Sequence, residues 1–125
     1  MQNNFGKNYK LCSKIQISNL FNRGKRIRTE KLTIIFLADK REFEKPFQVL
    51  ISVPKKRHKK AVDRNAIKRL CREAVRNNKL VIESYLLNKK RKISFVLNYT
   101  GVDLPNYKEI DGQIKCLFEK LITHV

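Results

Sequence analysis

Positively charged side chains are concentrated in one stretch of the sequence, residues 55–76. Within this stretch Arg and Lys recur three or four positions apart, which is the spacing of one helix face. The residues that share this face are Asn65, Lys68, Arg69, Arg72 and Arg76. Arginine can donate two hydrogen bonds at once to a phosphate, and lysine binds phosphates as a point charge. The chemistry that this pattern predicts is therefore phosphate binding.

The same face has a simpler explanation, because charged side chains usually do no more than solvate the outside of a helix. A solvated face normally mixes both signs, since like charges at this spacing repel by roughly 0.2–0.5 kcal/mol per pair. Here only Asp63 and Glu73 carry negative charge. A second basic run precedes the helix, consisting of Lys55, Lys56, Arg57, Lys59 and Lys60. This excess favours a bound polyanion over a solvated surface.

An amphipathic helix must position these charges. Its predicted apolar face consists of Val62, Ala66, Ile67, Leu70, Cys71, Ala74 and Val75. Helical spacing continues from Leu80 to Leu87, and the pair Asn77-Asn78 predicts a break or a loosened turn between the two helical segments. The apolar face is rich in Ala, Cys and Val, which favours packing on a sheet.

The remaining elements are predicted from capping residues and hydrophobic periodicity. Ser13 and Gln16 predict a capping box for a first helix, with Cys12 and Ile17 as a hydrophobic staple. Gly24 is the expected stop, in the left-handed conformation. The other predicted elements are strands over residues 32–37, 47–53 and 93–99, a turn over 39–46, and a last helix near Pro105. This order predicts an α/β protein, an α+β two-layer sandwich.

Composition narrows the class of partner. The chain has 125 residues, with 29 Lys and Arg against 11 Asp and Glu, and a net charge of +18 at pH 7. So large an excess opposes compaction, so we expect nucleic acid as the first partner and an anionic membrane surface as the second. No apolar run approaches the ~18 residues of a membrane span, and residues 1–10 lack the apolar core of a signal peptide. We therefore expect a cytoplasmic protein.

Residues for catalysis or metal binding are sparse. Cys12, Cys71 and Cys116 are far apart, and we expect them to be small buried apolar residues in a reducing compartment. Neither His58 nor His124 has a companion at metal-ligand spacing. Without a nucleophile–base motif or a Gly-rich phosphate loop, the chain is a poor candidate for a self-sufficient nuclease.

The basic helix resembles the signature helix of the bacterial ribonuclease P protein family. The run RNAIKRLCRE, residues 64–73, matches a pattern of the form RN-x-x-KR-x-x-RE. The approach is similar as well, with a strand ending at Val53, then Lys55-Lys56, and Ala61-Val62 just before the helix. Two features depart from the family pattern: Ala66 replaces a basic residue, and the loop 57–60 has no glycine.

The resemblance implies a fold and a function. It implies a left-handed strand–helix–strand crossover, a fold like that of ribosomal proteins, and a single RNA-binding domain over residues 1–125. It further implies a subunit of ribonuclease P, an endoribonuclease of tRNA 5′ maturation whose catalytic centre is expected in the RNA subunit. The implied partners are this catalytic RNA and precursor tRNA. The protein is expected to bind no cofactor, and Mg²⁺ is expected through the RNA.

Two groups of site residues follow from the resemblance. Those expected to contact the catalytic RNA are Lys55, Lys56, Arg57, Lys60, Arg64, Asn65, Lys68, Arg69 and Arg72. A cleft between the first helix and the sheet is expected to bind the single-stranded 5′ leader of precursor tRNA, because bases stack on aromatic rings. Its expected residues are Ile17 and Phe21, with Ile35 or Phe36 as the strand partner. Phe21 and Phe36 are equally well explained as ordinary core residues.

Three other functions compete with this one. A general RNA-binding or ribosome-associated module would share the basic helix but would not depend on a 5′ leader. A helix-turn-helix DNA-binding protein is disfavoured, because predicted strands flank the basic helix on both sides. Binding of the basic helix to a membrane surface or as a calmodulin target is disfavoured as well, because its apolar face is rich in Ala, Cys and Val and lacks Trp. We therefore expect neither DNA nor a membrane as partner.

Overall fold

A four-stranded sheet with helices on both faces is the framework of this protein. The computed structural model describes residues 9–41 and 45–125. In chain order its elements are α1 (Lys14–Arg23), β1 (Lys25–Arg28), β2 (Leu32–Ala38), β3 (Phe47–Ser52), α2 (Ala61–Lys89), β4 (Ile93–Tyr99) and α3 (Tyr107–His124). The predicted mixed α+β class is confirmed, and the predicted turn over 39–46 falls partly outside the described residues.

The strands lie in the order β1-β2-β4-β3. β1 and β4 both pair antiparallel with β2, and Ile35 of β2 lies opposite Val96 of β4. β3 runs parallel to β4, with Ser52 opposite Asn98. These two parallel neighbours are joined by α2, which is the strand–helix–strand unit that the resemblance implies. The left hand of that unit remains a prediction.

Side chains alternate along the strands, so the sheet has two buried faces. Phe36 and Phe95 belong to the larger core, together with the buried side chains of α2 and α3. Ile35 and Val96 point to the other face and pack with Leu20 of α1. Because both faces are covered here, the central strands carry continuous apolar runs rather than strict polar–apolar alternation.

The helix α2 is longer than the sequence predicts. It runs for 29 residues from Ala61 to Lys89, so the predicted break at Asn77-Asn78 is wrong. The buried Asn78 side chain donates hydrogen bonds to the Ala74 carbonyl at 2.8 Å and to Asp111 Oδ1 at 2.7 Å. The acceptor of the second bond, Asp111, belongs to α3. Asparagine is a poor helix former, and here the packing of α3 against α2 supplies a partner for its side chain inside the helix.

The start of α1 follows the prediction only in part. Ser13 caps the helix by accepting a hydrogen bond from the Gln16 N–H at 3.3 Å. The Gln16 side chain donates instead to Ser94 Oγ on β4 at 2.6 Å, so it ties the helix to the sheet. Gly24 is extended, with φ −66°, and not left-handed as expected. It permits close approach, because a Cβ there would stand 2.5 Å from Ile35 Cγ2.

Several side chains are more exposed than predicted. Val62 and Ala66 face solvent, so the buried face of α2 begins only at Ile67. Cys12 and Cys116 are exposed, and the expectation that all three cysteines are buried is wrong. Burial raises the pKa of the remaining thiol, Cys71, to about 12. No helix in the described parts of the chain is long and apolar enough to cross a membrane.

Candidate nucleic-acid interface

The basic loop, defined as residues 55–60, connects β3 to α2. It turns back after Pro54, whose carbonyl accepts hydrogen bonds from the N–H groups of Arg57 and His58 at 3.4 and 3.3 Å. The basic side chains that this turn leaves exposed are Lys55, Lys56, Arg57, Lys59 and Lys60. The loop therefore presents its charges to solvent at the start of α2.

One buried histidine holds the basic loop in place. The His58 side chain is only 5% exposed, and its ring centroid lies 5.7 Å from that of Tyr99. His58 Nε2 donates to the Gly101 carbonyl at 2.8 Å, which fixes the proton on Nε2 because a carbonyl can only accept. Tyr99 is held in turn, since its hydroxyl donates to Asp103 Oδ1 at 2.9 Å. A residue that the sequence analysis considered only as a metal ligand thus positions the loop.

Arg64 lies at the junction between the basic loop and α2. Its Nη1 donates to the carbonyls of His58 and Lys59 at 2.9 and 2.8 Å. Lys60, the residue that precedes the helix, makes no side-chain capping bond. Arg64 therefore stabilises the loop from within the helix, and one edge of its guanidinium group already has partners in the protein.

The basic face of α2, defined as Asn65, Lys68, Arg69 and Arg72, continues from the loop. Asn65, Arg69 and Arg72 are exposed, and Lys68 is half-buried. None of the ion pairs in residues 9–41 and 45–125 involves this face or the basic loop. The face and the loop together form one continuous surface of cations.

Arg76 does not belong to this surface, although its spacing predicts that it does. Its guanidinium group forms an ion pair with Glu73 one turn earlier. The hydrogen bonds from Arg76 lower the pKa of the Glu73 carboxyl, so that carboxylate remains ionised and partnered. The pair marks the end of the basic face along α2.

The predicted leader cleft is bordered by α1 and by the face of the sheet that carries Ile35. Phe21 is 44% exposed on α1, while Ile17 is half-buried against the cluster of Leu20, Ile35 and Val96. Ile35 has no exposed surface, because α1 covers it. Of the four predicted cleft residues, Phe21 is therefore the one that offers an exposed aromatic surface there.

Phe36 cannot contribute to this cleft, so its expected place there is wrong. It is the neighbour of Ile35 in β2, and successive strand residues point to opposite faces. It packs in the larger core with α2 and α3. Of the two alternatives, Ile35 is the one on the sheet face that carries α1, and it is buried there.

A row of four polar side chains crosses the sheet next to Ile35. The pairing register aligns, in order across β1, β2, β4 and β3, the residues Arg28, Thr33, Asn98 and Ser52. Residues directly opposite one another share a face, so this polar row lies on the face that carries α1. Arg28 is exposed, and Asn98 Oδ1 is buried and has no hydrogen-bond partner among the described residues. The row ends at Ser52, three residues before Lys55.

These polar residues were absent from the predicted site. Thr33, Asn98 and Ser52 lie within predicted strands, but which strands pair, and in which register, is not visible in one sequence. In addition, Arg28 belongs to a strand that the sequence analysis read only as a basic cluster. The one signal in the sequence is that Thr33 lies two residues before Ile35. Residues two apart in a strand lie on the same face, so Thr33 could have been placed on the face of β2 that carries Ile35.

The described residues lack the groupings that metal chemistry requires. Among residues 9–41 and 45–125, no three His, Cys, Asp or Glu side chains are grouped to hold a metal ion. The chemistry that this arrangement can perform is the binding of phosphates by cations, the stacking of a base on Phe21, and hydrogen bonding along the polar row.

A small α+β protein with one continuous basic surface is typical of proteins that bind a nucleic acid. The Ribonuclease P family profile matches residues 5–122. The chain therefore belongs to the ribonuclease P protein family, whose members are subunits of an endoribonuclease complex for tRNA 5′ maturation. The family implies an RNA partner.

Individual relatives agree with the family assignment. The ribonuclease P protein component of Pseudoalteromonas translucida is 34% identical over 119 residues, which cover 94% of this chain and 77% of that protein. The component from Porphyromonas gingivalis is 28% identical over 105 residues, covering 84% and 77% of the two chains.

Solved structures agree in fold. The RNase P protein from Thermotoga maritima superposes with a TM-score of 0.70 at 21% identity, covering 89% of this chain and 96% of that one. The Staphylococcus aureus RNase P protein gives a TM-score of 0.68 at 17% identity, covering 90% and 94%.

Proposed function

We propose that this chain is the ribonuclease P subunit that holds the catalytic RNA and precursor tRNA together in the cytoplasm. The observation that carries the proposal is the continuous cationic surface of the basic loop and the basic face of α2. None of its charges is paired with an acidic side chain among the described residues. Neutralising RNA phosphates would relieve the mutual repulsion of these cations and release counterions from the RNA.

The catalytic RNA is the proposed partner of that surface. Arg69 and Arg72 are exposed and have both edges of their guanidinium groups available, which suits bidentate contacts with phosphates. Asn65 adds an amide that both donates and accepts. Arg64 contributes mainly by fixing the loop, because Nη1 already donates to two carbonyls there.

The 5′ leader of precursor tRNA is the proposed ligand of the cleft beside α1. The exposed part of the Phe21 ring can stack on one base, an interaction worth roughly 1–3 kcal/mol. Arg28, which is exposed at one end of the polar row, can meet a phosphate. Because Lys55 is at most ~10 Å of chain from Ser52, a single strand that crosses the polar row reaches the basic loop.

The cleavage chemistry is proposed to belong to the RNA, with Mg²⁺ bound by that RNA. Two RNA molecules that approach each other repel through their phosphates, and either metal ions or protein cations can screen that repulsion. The contribution of this chain is then electrostatic: it replaces part of the Mg²⁺ that the RNA alone needs for binding substrate.

Reconstitution with the cognate catalytic RNA tests this function. The protein should lower the Mg²⁺ concentration that gives half-maximal cleavage and should favour precursor tRNA over mature tRNA in binding. Cleavage that is equally fast without the protein at physiological salt would contradict the proposal. Substrates with and without a 5′ leader separate this role from that of a general RNA-binding module, whose affinity would not depend on the leader.

A further inference from the structure

A groove of about 560 Å³ lies along the flank of α1 that faces away from the proposed leader cleft. One of its walls is α1 itself, where Gln16, Asn19 and Arg23 recur at spacings of three and four residues and so share a face. Phe21 lies on the opposite flank of the helix, and Leu20, which is buried against the sheet, separates the two flanks. This α1-flank groove is therefore distinct from the cleft proposed for the leader.

The other wall of the α1-flank groove is the end of β2 and the residues that follow it. Leu37 is half-buried on the face of the sheet that carries α1, and Asp39 and Lys40 extend this wall beyond the strand. The Asp39 N–H donates to the Lys92 carbonyl at 2.9 Å, which fixes the chain where it leaves β2. Because the Gln16 side chain ties α1 to β4, both walls are held by the framework of the protein.

Each wall contributes one cation that has no acidic partner among the described residues. Arg23 is the last residue of α1 and Lys40 follows β2, and both side chains are exposed and line the groove. None of the ion pairs in residues 9–41 and 45–125 includes either of them. An anion in the groove is therefore attracted from both walls.

Asn19 supplies a hydrogen-bond donor in the same groove. Its side chain is half-buried and forms no hydrogen bond with any described residue. An amide NH₂ group can donate to a phosphate oxygen, and the guanidinium group of Arg23 can donate two hydrogen bonds at once. The described wall residues include no aromatic side chain, so the groove suits the backbone of a nucleic acid rather than a stacked base.

The one carboxylate among the described wall residues is already neutralised. The Asp39 side chain has no exposed surface, and its oxygens accept hydrogen bonds from Arg41 Nε at 3.0 Å and Arg41 Nη2 at 2.7 Å. Arg41 is thereby engaged within the protein. The charge that remains for a ligand is that of Arg23 and Lys40.

We propose that the α1-flank groove binds a phosphodiester group of RNA through Arg23, Lys40 and Asn19. The helix α1 then lies between two RNA contacts, a base on its Phe21 flank and a phosphate on the other. This proposal rests on the RNA partner of the proposed function. RNA is favoured over a free phosphate ion, because the groove adds one contact to a polyanion that a net charge of +18 already attracts. The phosphodiester belongs to the catalytic RNA or to precursor tRNA, and measuring the binding of each RNA separately distinguishes them.

Two variants test the groove. Arg23→Gln/Lys40→Gln removes both cations and leaves polar side chains in their place, and Asn19→Asp puts a carboxylate into the groove while both cations stay. Lys108→Gln/Lys120→Gln removes the same charge from exposed positions on α3 and serves as the matched control. Thermal melts identify any variant that is misfolded, and the other groove variant then carries the test.

Two equilibria are measured, that of the protein with the catalytic RNA and that of the reconstituted holoenzyme with precursor tRNA. In one of them the double groove variant should reduce the slope of log K against log salt concentration by about 0.7–0.9, which weakens binding about five- to eightfold at 0.1 M salt relative to 1 M salt. Ethylation of RNA phosphates is the second readout. Ethylation of one phosphate should weaken binding to the wild-type protein and make no difference to the groove variants. The α3 control should keep the wild-type slope and the wild-type ethylation pattern.

Three results would overturn the proposal. The first is identical slopes and ethylation patterns for the wild type and both groove variants in both equilibria, while variants of the basic face still lose RNA, which leaves the proposed function intact. The second is an equal loss of slope in the double groove variant and in the α3 control, which would mean that Arg23 and Lys40 act only through the net charge. The third is no binding of either RNA by the wild-type protein, which removes the proposed function as well.

Discussion

Phe21 is the side chain on which leader binding can be tested most directly. Its ring is 44% exposed on α1, so replacing it by Ala removes a stacking surface while leaving the buried core of the sheet intact. We expect Phe21→Ala to weaken binding of precursor tRNA with a leader by roughly 1–3 kcal/mol, about five- to 150-fold. Affinity for the catalytic RNA should remain within twofold. Fluorescence titration with leader-bearing and leaderless substrates measures both effects.

A matched control for Phe21 is available on the same helix. Ile15 is 78% exposed, so Ile15→Ala removes an apolar side chain from α1 without touching the proposed cleft. It should bind both substrates like wild type. If Phe21→Ala instead lowers the melting temperature by many degrees and affects both substrates equally, Phe21 is a core residue and the stacking role is wrong.

Single residues differ in how far their roles can be predicted from sequence. The exposure of Asn65, Arg69 and Arg72 follows from helical spacing, which depends on local geometry alone. The role of His58 does not, because its partner Gly101 is 43 positions away and only the folded chain brings the two together. The same holds for Asn98, whose place in the polar row is visible only once the register of three neighbouring strands is known.

Lys31 joins two elements, the turn between β1 and β2 and the start of α3. Its ammonium group lies 2.7 Å from both Asp103 Oδ2 and Glu109 Oε2. The hydrogen bond from Lys31 is the main cause that lowers the pKa of each carboxyl, with further help from Tyr99 for Asp103 and from the Asn106 backbone for Glu109. This cluster fixes the segment before α3 to the sheet.

The pH dependence of stability should report that cluster. A carboxyl whose pKa is lowered by folding stabilises the protein above its ordinary pKa of about 4, and this contribution is lost as the pH falls through the folded value. Lys31→Met should therefore be less stable than wild type at neutral pH. The difference should shrink as the pH falls below about 4. Urea unfolding at a series of pH values between 2 and 7, ~1 pH unit apart, measures it.

Lys108→Met is the control for the Lys31 measurement, since Lys108 is exposed and forms none of the ion pairs described. Its stability should follow the wild-type curve at every pH. A Lys31→Met protein whose deficit is the same in acid and at neutral pH would show that Lys31 acts through packing and not through the two carboxylates.

Secondary structure could be predicted wherever one short segment decides it. β4 follows from its alternating apolar residues, and the start of α1 follows from the Ser13 cap. β1 could not be predicted, because Lys25, Arg26 and Arg28 are charged and only Ile27 is buried, so β2 and not its own composition makes it a strand. The continuity of α2 through Asn78 likewise depends on Asp111 in α3, which a local pattern cannot reveal.

Charge is distributed over the whole molecule, but not uniformly. With a net charge of +18, any basic residue contributes to long-range attraction of RNA. Cations that lie against phosphates must differ from those that only raise the general potential, because only the former displace condensed counterions from the RNA. The slope of log K against log salt concentration therefore separates interface residues from the general charge.

Arg72 and Arg76 allow that separation within one helix turn. Both are arginines on the predicted basic stripe, but Arg72 has no acidic partner among the described residues, whereas Arg76 forms an ion pair with Glu73. We expect Arg72→Ala to reduce the salt slope of catalytic RNA binding by about 0.7–0.9, the value of one lost phosphate contact. Arg76→Ala should leave the slope unchanged, although both variants lose the same charge. Equal salt slopes for Arg72→Ala and wild type would remove Arg72 from the RNA interface. A reduced slope for Arg76→Ala would mean that RNA displaces Glu73 from Arg76, so that the interface extends one turn further along α2.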